Sequence, residues 1–188
     1  MERICAIFSH YRRISLTEMC LQKLAQQTVP PHRVVVADNG AGDGSLDGVK
    51  EQAAAGAYPF MLEIIDMPGN TGNAGGIARG LERAFSFPDV DAVWILDDDS
   101  WPEPDALACL LSHGPGTDGM EWPCVRGCKV VDLKQGGELS WPMVLLDEKD
   151  GRRIHVTRGD ALPEAPFLLT GGAFLGALVP REIHDKVR

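Results

Sequence analysis

The chain has no Cys-x-x-Cys pair, no apolar run long enough to span a bilayer and a shortage of positive charge, and each absence removes a class of protein. Its five cysteines, Cys5, Cys20, Cys109, Cys124 and Cys128, are odd in number, so reduced thiols in a cytoplasmic compartment are the simplest reading. The apolar run Ile4 to Phe8 stops at Ser9-His10-Tyr11-Arg12-Arg13, too short for a signal-peptide core, and the weakly polar stretch Phe167 to Val179 is too short for a transmembrane helix. Eighteen Lys and Arg against 27 Asp and Glu give a net charge of −9, which argues against nucleic acid as a partner, because neutralising its phosphates needs a basic face. A nucleotide needs only local donors and a cation. What is present, 188 residues with 44% hydrophobic and 24% charged content, suits one globular domain with a sizeable core.

The chain is organised around Val93-Trp94-Ile95-Leu96-Asp97-Asp98-Asp99-Ser100, an apolar run that ends abruptly in three carboxylates. Three adjacent aspartates repel one another, and gathering them at a strand end calls for a cation; hard oxygen ligands suit Mg²⁺ or Mn²⁺. An acidic turn capping the next helix is the plainer reading of any Asp triplet. Position favours the site, since ligands of open α/β sheets bind outside the carboxyl ends of the strands.

Strands are expected at Arg3 to Ser9, Arg33 to Ala37, Met61 to Asp66 and Asp91 to Leu96, with helices between them, the βαβαβαβα pattern of a mostly parallel sheet covered on both faces. Ser15-x-x-Glu18 reads as a capping box for the first helix and Ser45 as the cap of the second. Asp43 and Gly44 read as turn residues, and His10 as packed rather than catalytic. Gly72, Gly76 and Gly80, four apart, are expected to line one helix face and pack closely on the sheet, leaving Asn70, Asn73 and Arg79 to offer polar groups to a phosphate or sugar. A helix is expected to open at Pro102-Glu103-Pro104-Asp105.

Beyond His113 the composition changes. Val125 to Val131 and Leu139 to Leu146 read as strands that need not be parallel, separated by the turn Lys134-Gln135-Gly136-Gly137, with a further short strand at Arg152 to Val156. Phe167 to Val179 reads as one buried Gly-rich strand region and Pro180-Arg181-Glu182 as the start of a last helix. Trp122, Trp141 and the loop from Arg158 to Pro166 are candidates for an acceptor surface, although tryptophan is more often core.

Five blocks, in order, resemble the inverting nucleotide-sugar glycosyltransferases of the GT-A type, glycosyltransferase family 2, in its rhamnosyl- and galactofuranosyltransferase-like branch. They are Phe8-Ser9-His10-Tyr11-Arg12; Gln26-Gln27-Thr28 with Val34 to Gly44; Asn70-Thr71-Gly72-Asn73-Ala74-Gly75-Gly76; Asp97-Asp98-Asp99 with Pro102-Glu103-Pro104-Asp105; and Gly172 to Glu182. The resemblance implies a Rossmann-like GT-A sheet with a smaller mixed-strand acceptor-side region, residues 1–112 forming the nucleotide-sugar half and 113–188 the acceptor half. It implies a UDP- or dTDP-linked donor, a glycan or lipid-linked acceptor of the kind used in cell-wall or polysaccharide synthesis, and a cytoplasmic location, with peripheral attachment to the inner membrane face as an alternative. Asp97 and Asp99 then hold Mn²⁺ or Mg²⁺ as a D-x-D pair, Asp98 lies near the ribose or metal, and Tyr11, Arg12, Asp38, Asn39 and Asn70 contact the donor. A metal clamp suits a departing nucleoside diphosphate, and inversion needs a carboxylate base on the acceptor hydroxyl.

In the family that base lies beyond the helix starting at Pro180, so it is expected beyond Arg188, and the sequence reads as a fragment of a longer protein. A donor-binding module lacking the base is the alternative; Glu164, Glu182 and Asp185 are the base candidates if the chain transfers unaided. A sugar nucleotidyltransferase is a distant third, since those enzymes usually carry a Gly-rich basic loop where this chain has Ser9-His10-Tyr11-Arg12.

Overall fold

A computed structural model describes residues 2–40, 42–112, 123–136, 138–146, 152–162, 169–171 and 174–187. Four parallel strands, β1 (Ile4–His10), β2 (Arg33–Asp38), β3 (Met61–Asp66) and β4 (Ala92–Ile95), alternate with helices α1 (Ile14–Ala25), α2 (Asp47–Ala54) and α3 (Gly72–Ser86), and α4 (Ala106–Ser112) follows β4. The next described strands are β5 (Val131–Asp132), β6 (Glu138–Leu146), β7 (Arg153–Arg158), β8 (Leu169–Gly171) and β9 (Leu178–Pro180), before α5 (Arg181–Lys186). The main sheet has the order β3-β2-β1-β4-β9, with β9 antiparallel to β4. This is the mixed α/β architecture expected from the sequence.

Strand alternation explains why both faces are covered. Ile4, Ala6 and Phe8 of β1 point to one side with Val34, Val36, Ala92 and Trp94, and there meet Cys20, Leu21 and Leu24 of α1, Val49 of α2 and Leu107 of α4. Cys5 and Ile7 point to the other side with Val35, Val93 and Ile95, and meet Ile77, Ala84 and Phe85 of α3. The two-residue period of a strand thus feeds two cores at once, which is why these strands read as nearly continuous apolar runs.

Close packing of α3 on β1 depends on one of the three glycines expected to face the sheet. A Cβ at Gly76 would lie 2.6 Å from Ser9 Oγ, whereas one at Gly80 would make ordinary contact with Ile7 at 3.4 Å. Gly72 differs: open space surrounds it, but its φ of +72° starts the helix with a left-handed residue, a conformation open to glycine at little cost.

Several local expectations are corrected. Ser15 lies inside α1, whose N-cap is Arg13 with no side-chain cap, and Ser45 precedes the Leu46 cap of α2 and bonds His10 instead. The helix expected at Pro102 starts at Ala106; the intervening loop is held by Gln27, which accepts from Leu107 N (3.1 Å) and donates to Glu103 O (2.7 Å). The strand expected at Val125 to Val131 reduces to one bridge, Arg126 to Leu178, and the short β5. The Gly-rich region is split, β8 joining a small antiparallel sheet with β5, β6 and β7 and β9 joining the main sheet; Gly176, at φ +76°, lies between them. The turn after β5 is a single 3₁₀ turn closed by left-handed Gly136.

Candidate active site

Parallel strands bring their carboxyl ends to one edge, and the register aligns His10 with Asp38 and Asp38 with Asp66. β4 pairs with β1 up to Ile95, so the Asp97-Asp98-Asp99 loop leaves the sheet at that same edge. One oxygen from each of the three carboxylates lies within 4.8 Å of the others. Asp98 is fully buried, and its Oδ2 has no hydrogen-bond partner among the described residues. Burial, then its neighbours Asp97 and Asp99, push the Asp98 carboxyl up to about 6 against the opposing pull of Arg13. Burial and Asp99 likewise raise Asp97. A buried carboxylate with an unpaired oxygen, between two others, is costly unless a cation arrives, and an all-oxygen donor set fits Mg²⁺ or Mn²⁺.

The loop after β1 supplies a counter-charge that sequence reasoning missed. Arg12 adopts a φ of +58°, unusual for a non-glycine residue and costing of order 1 kcal/mol. The next residue, Arg13, donates from Nη2 to Asp98 Oδ1 at 2.5 Å and from Nη1 to Asp99 Oδ2 at 3.0 Å. Arg12 itself lies over the half-exposed Tyr11 ring, 5.1 Å from its centroid, so both expected donor-contact residues of this loop remain at the surface. His10 is buried as expected, shared between Thr17 Oγ1 (2.8 Å) and Ser45 Oγ (3.0 Å), and burial depresses its pKa below the ordinary imidazole value.

Asp38 is buried and accepts from Gly40 N at 2.9 Å. Asn39 uses its whole amide internally: Nδ2 donates to Ser9 Oγ (2.7 Å) and Gly72 O (3.3 Å), and Oδ1 accepts from Thr71 N and Thr71 Oγ1, both at 3.0 Å. That fills the four hydrogen-bonding positions of an amide. Asn70 is exposed and forms a turn by accepting from Gly72 N. Asn73, at the start of α3, donates to Asp97 Oδ2 at 3.2 Å, whereas Arg79 lies further along the helix and pairs with Glu82. Asp43 accepts from Ser45 N and Gly44 has φ +74°, the turn chemistry read from the sequence.

Two base candidates sit at the wrong end of the sheet. Pro180 pairs with Ala92, at the start of β4, and α5 with Glu182 and Asp185 follows it. The aspartate loop begins five residues along, about 15 Å away at strand rise. Asp185 there pairs with His184, 3.0 Å away. Glu164 and Trp122 lie outside the described residues; Trp141 and Trp101 are about half exposed. No helix among the described residues is long and apolar enough to cross a membrane.

The fold and site define an α/β protein with a mostly parallel sheet and, at its strand ends, an acidic cluster that could hold a cation. The profile of glycosyl transferase family 2 matches residues 5–129, well over half of the chain, and the chain belongs to that family. It is 34% identical over 113 residues to the galactofuranosyltransferase GlfT1 of Mycobacterium tuberculosis, the match covering 59% of this chain and 35% of that protein; the chain thus spans about a third of the length of this curated relative. Among solved structures it is similar to the mannosyltransferase PcManGT from Pyrobaculum calidifontis in complex with GDP-Man and Mn²⁺ (TM-score 0.49, 27% identity, 60% of this chain and 33% of that one). It is also similar to S. aureus TarS 1–349 in complex with UDP (TM-score 0.49, 21% identity, 60% and 31%).

Proposed function

We propose that residues 1–112 form the donor-binding half of a metal-dependent, inverting glycosyltransferase that takes a sugar from a UDP- or dTDP-linked donor to a glycan or lipid-linked acceptor. Residues 113–188 contribute to the acceptor side. The observation that carries this reading is the convergence of Asp97, Asp98 and Asp99 at the carboxyl edge of the parallel sheet, with a buried carboxylate oxygen left unpartnered. Galactofuranosyl transfer is the reaction to test first, because GlfT1 bears that name.

In this reading Asp97 and Asp99 hold Mn²⁺ or Mg²⁺, which when bound neutralises charge developing on the departing diphosphate. The chain's own groups do the rest. Asp38 accepts from the nucleoside, Tyr11 offers a ring to the base, and Arg12 and Asn70 contribute exposed donors. Asn39 acts indirectly, fixing Thr71 and Gly72 so that the start of α3 keeps its place beside Asp97. Asn73 orients the Asp97 carboxylate. The acceptor's base comes from outside the described residues, since Glu182 and Asp185 lie across the sheet. The donor half alone therefore holds a nucleotide sugar without activating an acceptor hydroxyl, a contribution typically worth about 10²–10⁴-fold in rate.

Calorimetry with UDP and dTDP, with Mn²⁺ and with EDTA, tests the reading. Binding should need the cation and fall at least tenfold in Asp97→Asn and Asp99→Asn. Undiminished affinity in EDTA and in both variants would remove the metal site from the proposal.

A further inference from the structure

Arg13 reaches into the aspartate cluster. Its two terminal nitrogens reach two different carboxylates of the cluster, Asp98 at 2.5 Å and Asp99 at 3.0 Å. The two carboxylates differ sharply in exposure, Asp98 at 0% and Asp99 at 47%. The guanidinium therefore spans the cluster from its buried member to its rim, while its own side chain stays 50% exposed and free to leave. The left-handed backbone at Arg12 gives the chain the turn that precedes this arm. One fixed positive charge against three carboxylates leaves the cluster net negative, and Asp98 Oδ2 unsatisfied. Guanidinium thus fills the site only in part.

We infer that Arg13 is a resident counter-cation that a divalent ion must displace, so that this side chain, and not the aspartates alone, sets the metal affinity of the site. The inference rests on the metal reading of Asp97 and Asp99. Physically, a fixed charge a few ångströms from the ligand oxygens raises the cost of bringing in a second cation through Coulomb repulsion. It also occupies a lone pair of Asp99, one of the two proposed ligands, so binding includes breaking at least that charge-assisted hydrogen bond. Removing the charge should tighten metal binding. An ordinary scaffolding arginine, which holds ligands in place, would do the opposite when removed.

The test uses Mn²⁺ alone, with no nucleotide, and reads affinity by calorimetry and by the loss of the free-ion electron-paramagnetic signal. Arg13→Gln should bind Mn²⁺ at least tenfold more tightly than the wild type, and Arg13→Lys, which keeps the charge, should stay within about threefold. A second readout needs no variant: titrating Mg²⁺ into the wild type should move the Arg13 Nε–H resonance toward the position of a solvated guanidinium. Equal or weaker Mn²⁺ binding by Arg13→Gln, while Asp97→Asn abolishes it, would overturn the role of Arg13 and leave the metal site standing. Failure of every form to bind Mn²⁺ would overturn both together.

Discussion

Asp98→Asn should stabilise the metal-free protein, although it removes one partner of an ion pair. Asp98 is fully buried with one oxygen unpartnered, and burial with two like-charged neighbours raises its pKa from the ordinary 3.8 to about 6, the attraction of Arg13 already included. The folded state therefore binds the Asp98 proton more tightly than the unfolded chain does. The stability due to that proton is fully present below pH 3.8 and is lost as pH rises through about 6. At about 1.4 kcal/mol per pH unit the loss above pH 7 amounts to at most about 3 kcal/mol. Asparagine mimics the neutral form at every pH, can still accept from Arg13, and leaves Asp99 as that arginine's charged partner. In EDTA at pH 7.5 the variant should melt higher, by up to about 6–12 °C for a chain of this size, and the advantage should vanish near pH 4. With saturating Mn²⁺ the order should reverse, because the wild type gains stability by mass action and the less negative site gains less. Thermal melts at pH 4, 5.5 and 7.5, with EDTA and with Mn²⁺, measure all of this. A variant that melts lower than wild type in EDTA at pH 7.5 would show that the aspartate is a stabilising partner of Arg13, and the case for a cation-demanding centre would lose its energetic basis.

Asn39→Ala removes four hydrogen bonds, the one to Ser9 Oγ buried and the three to Thr71 and Gly72 partly so, so chemical denaturation should show a loss of about 1–3 kcal/mol; Asn70→Ala, at an exposed turn, should cost under about 1 kcal/mol. Burial lowers the His10 pKa below its ordinary value of 6.5, so its contribution to stability is present above pH 6.5 and lost as pH falls below it. His10→Gln should lower the melting temperature at pH 7.5 and flatten the fall between pH 7 and pH 5, and a parallel fall in both proteins would discount the imidazole. Gly76→Ala drives a methyl group to 2.6 Å from Ser9 Oγ and should cost about 1–3 kcal/mol. Gly48→Ala, exposed in α2 with open space around it, should be neutral or stabilise by up to about 1 kcal/mol, a contrast that denaturant midpoints resolve.

The main sheet was legible because its signal is local and redundant. Val34-Val35-Val36 feeds two cores at once, so the whole run is apolar, and prolines and glycines follow the ends of β2, α2, β3 and α3 within a few residues, while β1 and β4 run out into polar loops. The second half was less legible for the opposite reason. Phe167 to Val179 is weakly polar throughout, and nothing in its composition says that one end joins a small antiparallel sheet while the other closes the main one. That division depends on pairings with β6 and β4, residues far away in sequence. Capping failed similarly: Ser15 and Ser45 have the right residue type, but Ser45 is drawn to a buried histidine 35 positions earlier, and a tertiary hydrogen bond outweighed a local preference.

The site divides along the same line. Three adjacent aspartates after a buried strand are visible in any reading of the chain, and parallel topology suffices to place them with Asp38 on one edge. The identity of their counter-charge was not visible. Arg12 and Arg13 are neighbours of the same type, and which one turns back to the cluster is decided by a single left-handed residue, Arg12 at φ +58°. Sequence alone makes Arg12 the natural choice for the anion, since it matches the family block; geometry instead directs Arg13 to the carboxylates and leaves Arg12 over Tyr11 at the rim. Two adjacent arginines thus take opposite electrostatic tasks, one facing the protein's own acids and the other facing the solvent from which an anionic donor would arrive. Exchanging only one of them for glutamine should separate the two tasks. Arg12→Gln should weaken metal-dependent UDP binding while leaving affinity for Mn²⁺ alone unchanged, and Arg13→Gln should change the affinity for Mn²⁺ alone. If both variants changed bare-metal affinity to the same extent, the division of labour inferred from the backbone turn would be wrong.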